Sequence, residues 1–230
     1  MLVNLMRGFL AEGRELDLLL IRDQGPHLAG LPAGVKRIPL GTNHSLLAIP
    51  ALARYLRQRR PKALLAVKDR AGRAAVLARA LAGTDTRLVL RLGTNLSAAL
   101  EGQGTLLRQL RYWPIRRLYP RIDRIVAVSQ GVAEDTAAIA RLPREAIRVI
   151  RNPVITPELA SLAAEPCPHP WFQRERPPVI LGAGRLQRQK DFPTLIRAFA
   201  LVRRERPCRL VIIGEGGDRK ALETLIAELG

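Results

Sequence analysis

The apolar and polar positions of this 230-residue chain follow two periods that take turns from end to end. Short, nearly unbroken apolar runs at 16–21, 35–40, 63–67, 87–92, 124–128, 147–150, 179–181 and 210–213 predict strands, with 16–21 read as a buried parallel strand. Helical spacing fills the intervals. Leu2, Leu5, Met6 and Phe9 share one face of a helix over 1–11. A second helix covers 45–60, with Ser45 as its cap, Pro50 near its start and Pro61 just past its end. An Ala-rich helix at 71–81 stops at Gly83, and a helix at 105–119 is expected to break near Pro114. Ser129 or Gln130-Gly131 starts a helix at 132–140. Asp191 caps the helix that places Leu195, Ile196, Phe199 and Val202 on one side, and Pro193 is harmless in its first turn. Strands joined by helices make crossovers, so the fold class is α/β with parallel sheets.

Two segments break the rhythm. Residues 23–34 form a polar loop with proline and glycine. Residues 154–178 hold six prolines around Trp171 and Phe172, and read as an interdomain connection whose aromatics pin it to a domain surface. The chain then divides into a Rossmann-like domain at 1–153, the connection at 154–178, and a second Rossmann-like domain at 179–230. A doubly wound domain opens on a strand, whereas this chain opens inside a helix. The second domain holds about two strands, fewer than an independently stable sheet needs. The expectation is a sequence that starts within the first domain and stops within an incomplete second one.

Composition adds one tension. The apolar share of 47% belongs to a protein with a core, and the formal charge of +18 points to an anionic partner. Nucleic acid, an anionic membrane and an anionic substrate all fit. So does coding bias, because only five of the 38 basic residues are lysines. The two cysteines form no CxxC and the three histidines are scattered, so no metal site is expected. No apolar run approaches the ~20 residues that span a bilayer, and no leader pattern opens the chain. The expected location is the cytoplasm.

The richest chemistry lies at 179–217. The apolar run at 179–181 ends in Gly182-Ala183-Gly184, followed by Arg185 and Lys190; the run at 210–213 ends in Gly214-Glu215-Gly216-Gly217. In a parallel unit both turns lie at the carboxyl ends of their strands, where ligands bind. Gly182 and Gly184 let the backbone approach a ligand, and Arg185 with Lys190 supply positive charge, so the turn suits phosphate. Glu215 reads equally as a nucleotide contact and as a solvated turn residue. A third glycine is missing for a dinucleotide fingerprint, and no P-loop occurs.

In combination, Gly182-Ala-Gly-Arg-Leu-x3-Lys-Asp-Phe192 and Ile213-Gly-Glu-Gly-Gly-Asp-Arg219 resemble the start of the nucleotide-binding domain of family-4 glycosyltransferases with the glycosyltransferase B fold. The runs IVAVSQGVAED from Ile125 and IRVIRNPV from Ile147 resemble the end of that family's acceptor-side domain. The resemblance implies that Arg185 and Lys190 hold the diphosphate of a sugar nucleotide and stabilise the charge on the departing nucleoside diphosphate. It implies retention at the anomeric carbon, no metal and no cofactor beyond the sugar-nucleotide co-substrate. The family's acidic pair would fall beyond Gly230, and no catalytic base carries over, because 91–95 holds no histidine.

On the acceptor side, Lys68, Asp69, Arg91, Thr94, Asn95 and Ser129 stand at strand carboxyl ends, and Lys68, Asp69, Thr94, Asn95 and Ser129 are the candidates; solvated loop residues are the plainer reading for each. Residues 108–121 mix arginines with Tyr112, Trp113 and Tyr119. That mixture suits an anionic bilayer, single-stranded nucleic acid, or a basic solvated helix with core aromatics. The expected function is sugar transfer to an envelope polysaccharide or lipid-linked saccharide acceptor, by a protein placed in the cytoplasm or at the inner face of the cell membrane. The competing readings are a basic nucleic-acid-binding protein, which lacks any motif and is not expected, and an inactive relative of the family.

Overall fold

The computed structural model describes residues 1–25, 28–100, 102–173 and 176–230. Parts of the loop expected at 23–34 and of the connection expected at 154–178 fall outside these residues. The chain forms two compact units, Met1–Pro157 and Glu158–Gly230.

In the first unit the order is α1 (Leu2–Ala11), β1 (Leu16–Leu20), β2 (Val35–Pro39), α2 (Ile49–Arg59), β3 (Ala63–Val67), α3 (Asp69–Ala82), β4 (Arg87–Leu92), α4 (Thr105–Leu118), β5 (Arg124–Ala127), α5 (Gln130–Ala140) and β6 (Ile147–Val149). Every strand pair is parallel. The strands β3, β4, β5 and β6 lie in that order in one sheet, while β1 pairs with β2 alone. The run at 16–21 is half-buried rather than buried, and β1 is tied to α2 by the Tyr55 hydroxyl donating to Asp17 Oδ2 at 2.7 Å.

Burial follows the pattern of the sequence. On β4, Leu88, Leu90 and Leu92 point into the core and alternate with less buried residues. Alanines of α3 (Ala74, Ala75, Ala78) and α5 (Ala133, Ala137, Ala140) are buried, so these helices approach their neighbours with little side chain between. Gly72 goes further: a Cβ there would stand 2.6 Å from Leu90 Cδ1. Helix α1 buries no residue, and Asn4 Nδ2 donates to the Pro153 carbonyl at 2.9 Å.

Three helix boundaries depart from expectation. Helix α2 begins at Ile49, after a turn that contains Ser45, and Pro50 marks its first turn. The fully buried Ala48 holds that turn against the core, so the chain is committed there before helical geometry starts. Helix α4 runs unbroken through Pro114. The missing N–H releases the Leu110 carbonyl on an exposed turn, where water can serve it. The Pro-rich connection contains a helix, α6 (Pro157–Ala164), because Pro157 sits at its start, where proline costs nothing.

Asp123 locks the entry of β5 to β4. Its Oδ2 accepts from the Leu88 N–H at 2.7 Å and from Arg79 at 2.6 Å. The Leu88 N–H, more than Arg79, holds its carboxyl below the usual range. A depressed folded pKa means that this stabilisation is present above the unfolded value of about 3.9 and is lost as pH falls through the folded value. The melting temperature is expected to drop on acidification below about pH 4, and Asp123→Asn to flatten that drop. An unchanged acid limb in thermal melts of the variant would remove Asp123 from the account.

The second unit continues with β7 (Val179–Ala183), α7 (Phe192–Glu205), β8 (Arg209–Ile213) and α8 (Arg219–Leu229). Strands β7 and β8 are parallel, in register from Val179 opposite Arg209 to Ala183 opposite Ile213. Its core is Leu186, Phe192, Ile196 and Leu222. Trp171 lies against the Arg209 guanidinium, 4.8 Å from its ring centroid, with the His169 ring edge-on at 5.5 Å.

Candidate functional site

The turns after β7 and β8 meet at one end of the two-stranded sheet. Gly184 N–H donates to the Ile213 carbonyl at 3.0 Å, Leu186 N–H to the Glu215 carbonyl at 2.9 Å, and Asp218 N–H back to the Leu186 carbonyl at 3.1 Å. The first turn is therefore laced to the second by backbone alone. Buried Leu186 anchors it from below.

Two of the glycines also hold the turns together. A Cβ on Gly214, whose φ is +156°, would lie 1.8 Å from the Gly184 carbonyl oxygen; one on Gly216 would lie 2.1 Å from the Leu186 carbonyl oxygen. Both are needed for the two turns to touch each other. Gly182 faces Leu195 and Phe192, with its Cβ position 3.0 Å from Leu195 Cδ2. Gly184 lies beneath the stem of Lys190, whose Cδ would be 3.5 Å from a Cβ there. The Lys190 stem thus folds back over the glycine turn.

A 3-10 turn at Arg188–Lys190 and Asp191 in the left-handed region (φ 50°) swing the chain into α7. Asp191 occupies the cap position, but its side chain makes no capping hydrogen bond, because left-handed backbone does not aim it at the first-turn N–H groups. The first turn of α7 therefore keeps unsatisfied donors beside Gly182 and Gly184, the side that favours an anion. Arg185 and Lys190 are exposed, and among the described residues neither has an acidic partner. Two cations beside a helix start that lacks a side-chain cap can hold a diphosphate.

Glu215 is held in an exposed ion pair. Its carboxylate pairs with Arg219, which also bonds Glu223 at 2.9 Å, and the two carboxylates raise the Arg219 pKa. A hollow of about 740 Å³ opens beside β8 between α7 and α8, over Ile196, Phe199, Ile212 and Leu222. It reaches Gly214 and Glu215 but neither Arg185 nor Lys190.

In the first unit the acceptor-side candidates share the carboxyl edge of the parallel sheet, since β3, β4 and β5 point the same way. Lys68 follows β3 with φ 77° and ψ 155°, a conformation that side chains other than glycine rarely adopt. Asp69 is engaged twice: Arg73 grips both oxygens at 2.7 and 2.9 Å, and the buried Tyr119 hydroxyl donates to Oδ1 at 3.1 Å. Burial, reinforced by Asp69, pushes the Tyr119 hydroxyl far above its ordinary pKa. Ser129 caps α5 by accepting from the Val132 N–H at 3.3 Å. Thr94 and Asn95 are exposed on the loop after β4.

Two anchors of this edge reach partners that no local pattern records. Arg91 donates to Asn152 Oδ1 at 2.5 Å, reaching from β4 to the loop after β6, and burial lowers its pKa. Gly93 makes room for it, since a Cβ there would lie 2.6 Å from Arg91 Nη1. Asp135 of α5 accepts from the Leu96 and Ser97 N–H groups at 2.5 and 3.2 Å, fixing the loop that presents Thr94 and Asn95.

Known proteins share both halves of this arrangement. Residues 1–153 match the family model described as Glycosyl transferase 4-like domain, and residues 168–230 match Glycosyl transferases group 1. A Campylobacter jejuni protein, N-acetylgalactosamine-N,N'-diacetylbacillosaminyl-diphospho-undecaprenol 4-alpha-N-acetylgalactosaminyltransferase, is 29% identical over 147 residues, 64% of this chain and 38% of its own length. Among solved structures, the apo lipopolysaccharide outer core galactosyltransferase WaaB aligns over 100% of this chain and 60% of its own, with TM-score 0.65 and 20% identity. HepE of Anabaena in complex with UDP aligns over 99% and 63%, with TM-score 0.68 and 18% identity. The chain thus spans under two thirds of each of these proteins.

Proposed function

The chain belongs to the family-4 glycosyltransferases of the glycosyltransferase B fold, and from that premise we propose that it moves a sugar from a nucleoside-diphosphate-sugar to a lipid-linked or envelope saccharide acceptor. The observation that carries this is the turn after β7. Among the described residues Arg185 and Lys190 have no acidic partner, and they stand beside the first turn of α7. As the sugar–phosphate bond breaks, negative charge builds on the departing diphosphate. Fixed cations and helix N–H groups stabilise that charge with little reorganisation. Charge neutralisation by side chains lets the reaction run without a metal or any cofactor beyond the donor. Transfer with retention follows from the family pattern.

The acceptor class draws on the relatives: one names a diphospho-undecaprenol saccharide, the other the lipopolysaccharide outer core. HepE, similar to this chain in fold, holds UDP. On the acceptor edge, exposed Lys68, Thr94 and Asn95 are the side chains offered to a saccharide, with Lys68 suited to an acceptor phosphate. Asp69 and Ser129 support the edge through the bonds already described.

Calorimetric titration of the chain with UDP, GDP and NAD tests the donor class. A nucleoside diphosphate is expected to bind well above NAD, and its affinity to fall with salt as a charge-dominated contact does. No binding of either diphosphate would overturn the proposal.

A further inference from the structure

Arg91 stands near the end of β4, on the sheet face opposite the one where Leu90 meets Gly72 of α3. Its side chain leans along the strand toward the carboxyl end. Nη1, Cζ and Nη2 come within 2.6, 3.0 and 3.1 Å of the Cβ position of Gly93, so the guanidinium lies over a residue that has no side chain. Asn152 Oδ1 accepts from Nη2 at 2.5 Å and fixes one edge of it. Among the described residues the guanidinium makes no other hydrogen bond and no ion pair. The fork is held in direction while most of its donors stay unused.

Other half-buried arginines of this unit are served differently. Arg73 grips Asp69, and Arg79 reaches Asp123 and the carbonyls of Thr86 and Arg121. Arg91 has only a neutral amide oxygen for its charge, and it has given up part of its water. The edge around it is short of negative charge. Segments 68–70, 91–97, 128–131 and 150–153, at the ends of the four parallel strands, carry Lys68, Arg70, Arg91 and Arg151 against Asp69. Asp69 is taken by Arg73 and Tyr119, and Asp135 by the Leu96 and Ser97 N–H groups. Lys68 adjoins Arg91 in the sheet: its N–H donates to the Arg91 carbonyl at 3.1 Å, and its backbone is held at φ 77°.

We propose that Arg91 reads the charge of the acceptor: its guanidinium binds a phosphate or diphosphate that the acceptor carries, so the transferase selects phosphorylated acceptors over neutral sugars. This rests on sugar transfer being the activity. A guanidinium fork takes two oxyanion oxygens at once, which fixes the orientation of the group as well as its presence. Four cations against one carboxylate favour a multiply charged group over a single carboxylate.

Inorganic pyrophosphate is the probe, titrated by calorimetry into the full chain carrying Arg185→Ala and Lys190→Ala, which lacks the donor-side cations. Adding Arg91→Gln is expected to weaken binding about tenfold, and Arg91→Lys less. Gly93→Ala keeps the charge and moves the guanidinium. Its methyl meets only the end of a flexible side chain, so thermal melts should show an intact fold while affinity falls about threefold or more. Arg87→Gln, on the same face at the other end of β4, should stay within about twofold. Glucuronate, a singly charged sugar, is the second arm and should bind more weakly than pyrophosphate. The proposal is overturned if the parent does not bind pyrophosphate, or if Arg91→Gln and Gly93→Ala both keep the parent's affinity. It is equally overturned if Arg87→Gln loses as much as Arg91→Gln, or if glucuronate is the anion whose binding depends on Arg91. UDP titration of the unmodified chain judges the donor reading separately, since none of these outcomes depends on it.

Discussion

Arg185→Ala is expected to lower the affinity for a nucleoside diphosphate by about one to two orders of magnitude, the equivalent of a charge-assisted phosphate contact of about 1.5–3 kcal/mol. Three features set the size of the effect. The guanidinium has no acidic partner to compete for it among the described residues. It leaves a turn fixed by backbone bonds on both sides, Gly184 to Ile213 and Leu186 to Glu215. The first turn of α7 still favours an anion after the substitution, so residual binding is expected rather than none. Arg185→Lys should recover part of the loss, because it keeps the charge and gives up the two-pronged fork. Lys190→Ala should fall in the same range, and the double variant should lose less than the sum, since both cations face one ligand. Glu215→Gln should change binding little, given that its carboxylate is occupied by Arg219. Titration of the five variants with UDP decides the matter. Wild-type affinity in Arg185→Ala would take that residue out of the site.

Gly214→Ala should unfold or severely loosen the second unit while the first stays folded. The added methyl would lie 1.8 Å from the Gly184 carbonyl oxygen, and the partner is backbone, which cannot rotate away as a side chain can. With φ at +156° the new side chain is also strained on its own account. The two costs together should reach about 3 kcal/mol or more. That is large for a unit whose core rests on Leu186, Phe192, Ile196 and Leu222. Gly217→Ala is the control: nothing lies within 4 Å of its Cβ position, and a change within about 0.5 kcal/mol is expected. Trp171 reports on the second unit and Trp113 on the first, so urea unfolding of single-tryptophan versions separates the two. Equal midpoints for Gly214→Ala and wild type would refute the contact.

The alternation of strands and helices was legible because apolar runs and helical spacing are local, and each predicted strand is present. Boundaries were less so. Ser45 had the chemistry of a cap, yet the buried Ala48 dictates where α2 begins, and burial is a property of the folded chain. The separation of β1–β2 from β3–β6 is likewise a choice among partners that no single strand records. In the site, the cations and glycines stood out at once, but the purpose of Gly214 and Gly216 did not. It depends on the carbonyls of Gly184 and Leu186, some thirty residues away. Arg91 meeting Asn152 across 61 positions is the same kind of fact.

The close meeting of Gly184 with Gly214, and of Leu186 with Gly216, has a consequence for chimeric proteins. A donor loop from a relative cannot be grafted onto β7 by itself, since its backbone path must match the one leaving β8. The transplantable cassette is the matched pair, 182–191 with 214–218. Recombination that divides it joins surfaces that have never been shaped to each other, even where both parents carry every glycine and cation of the motif.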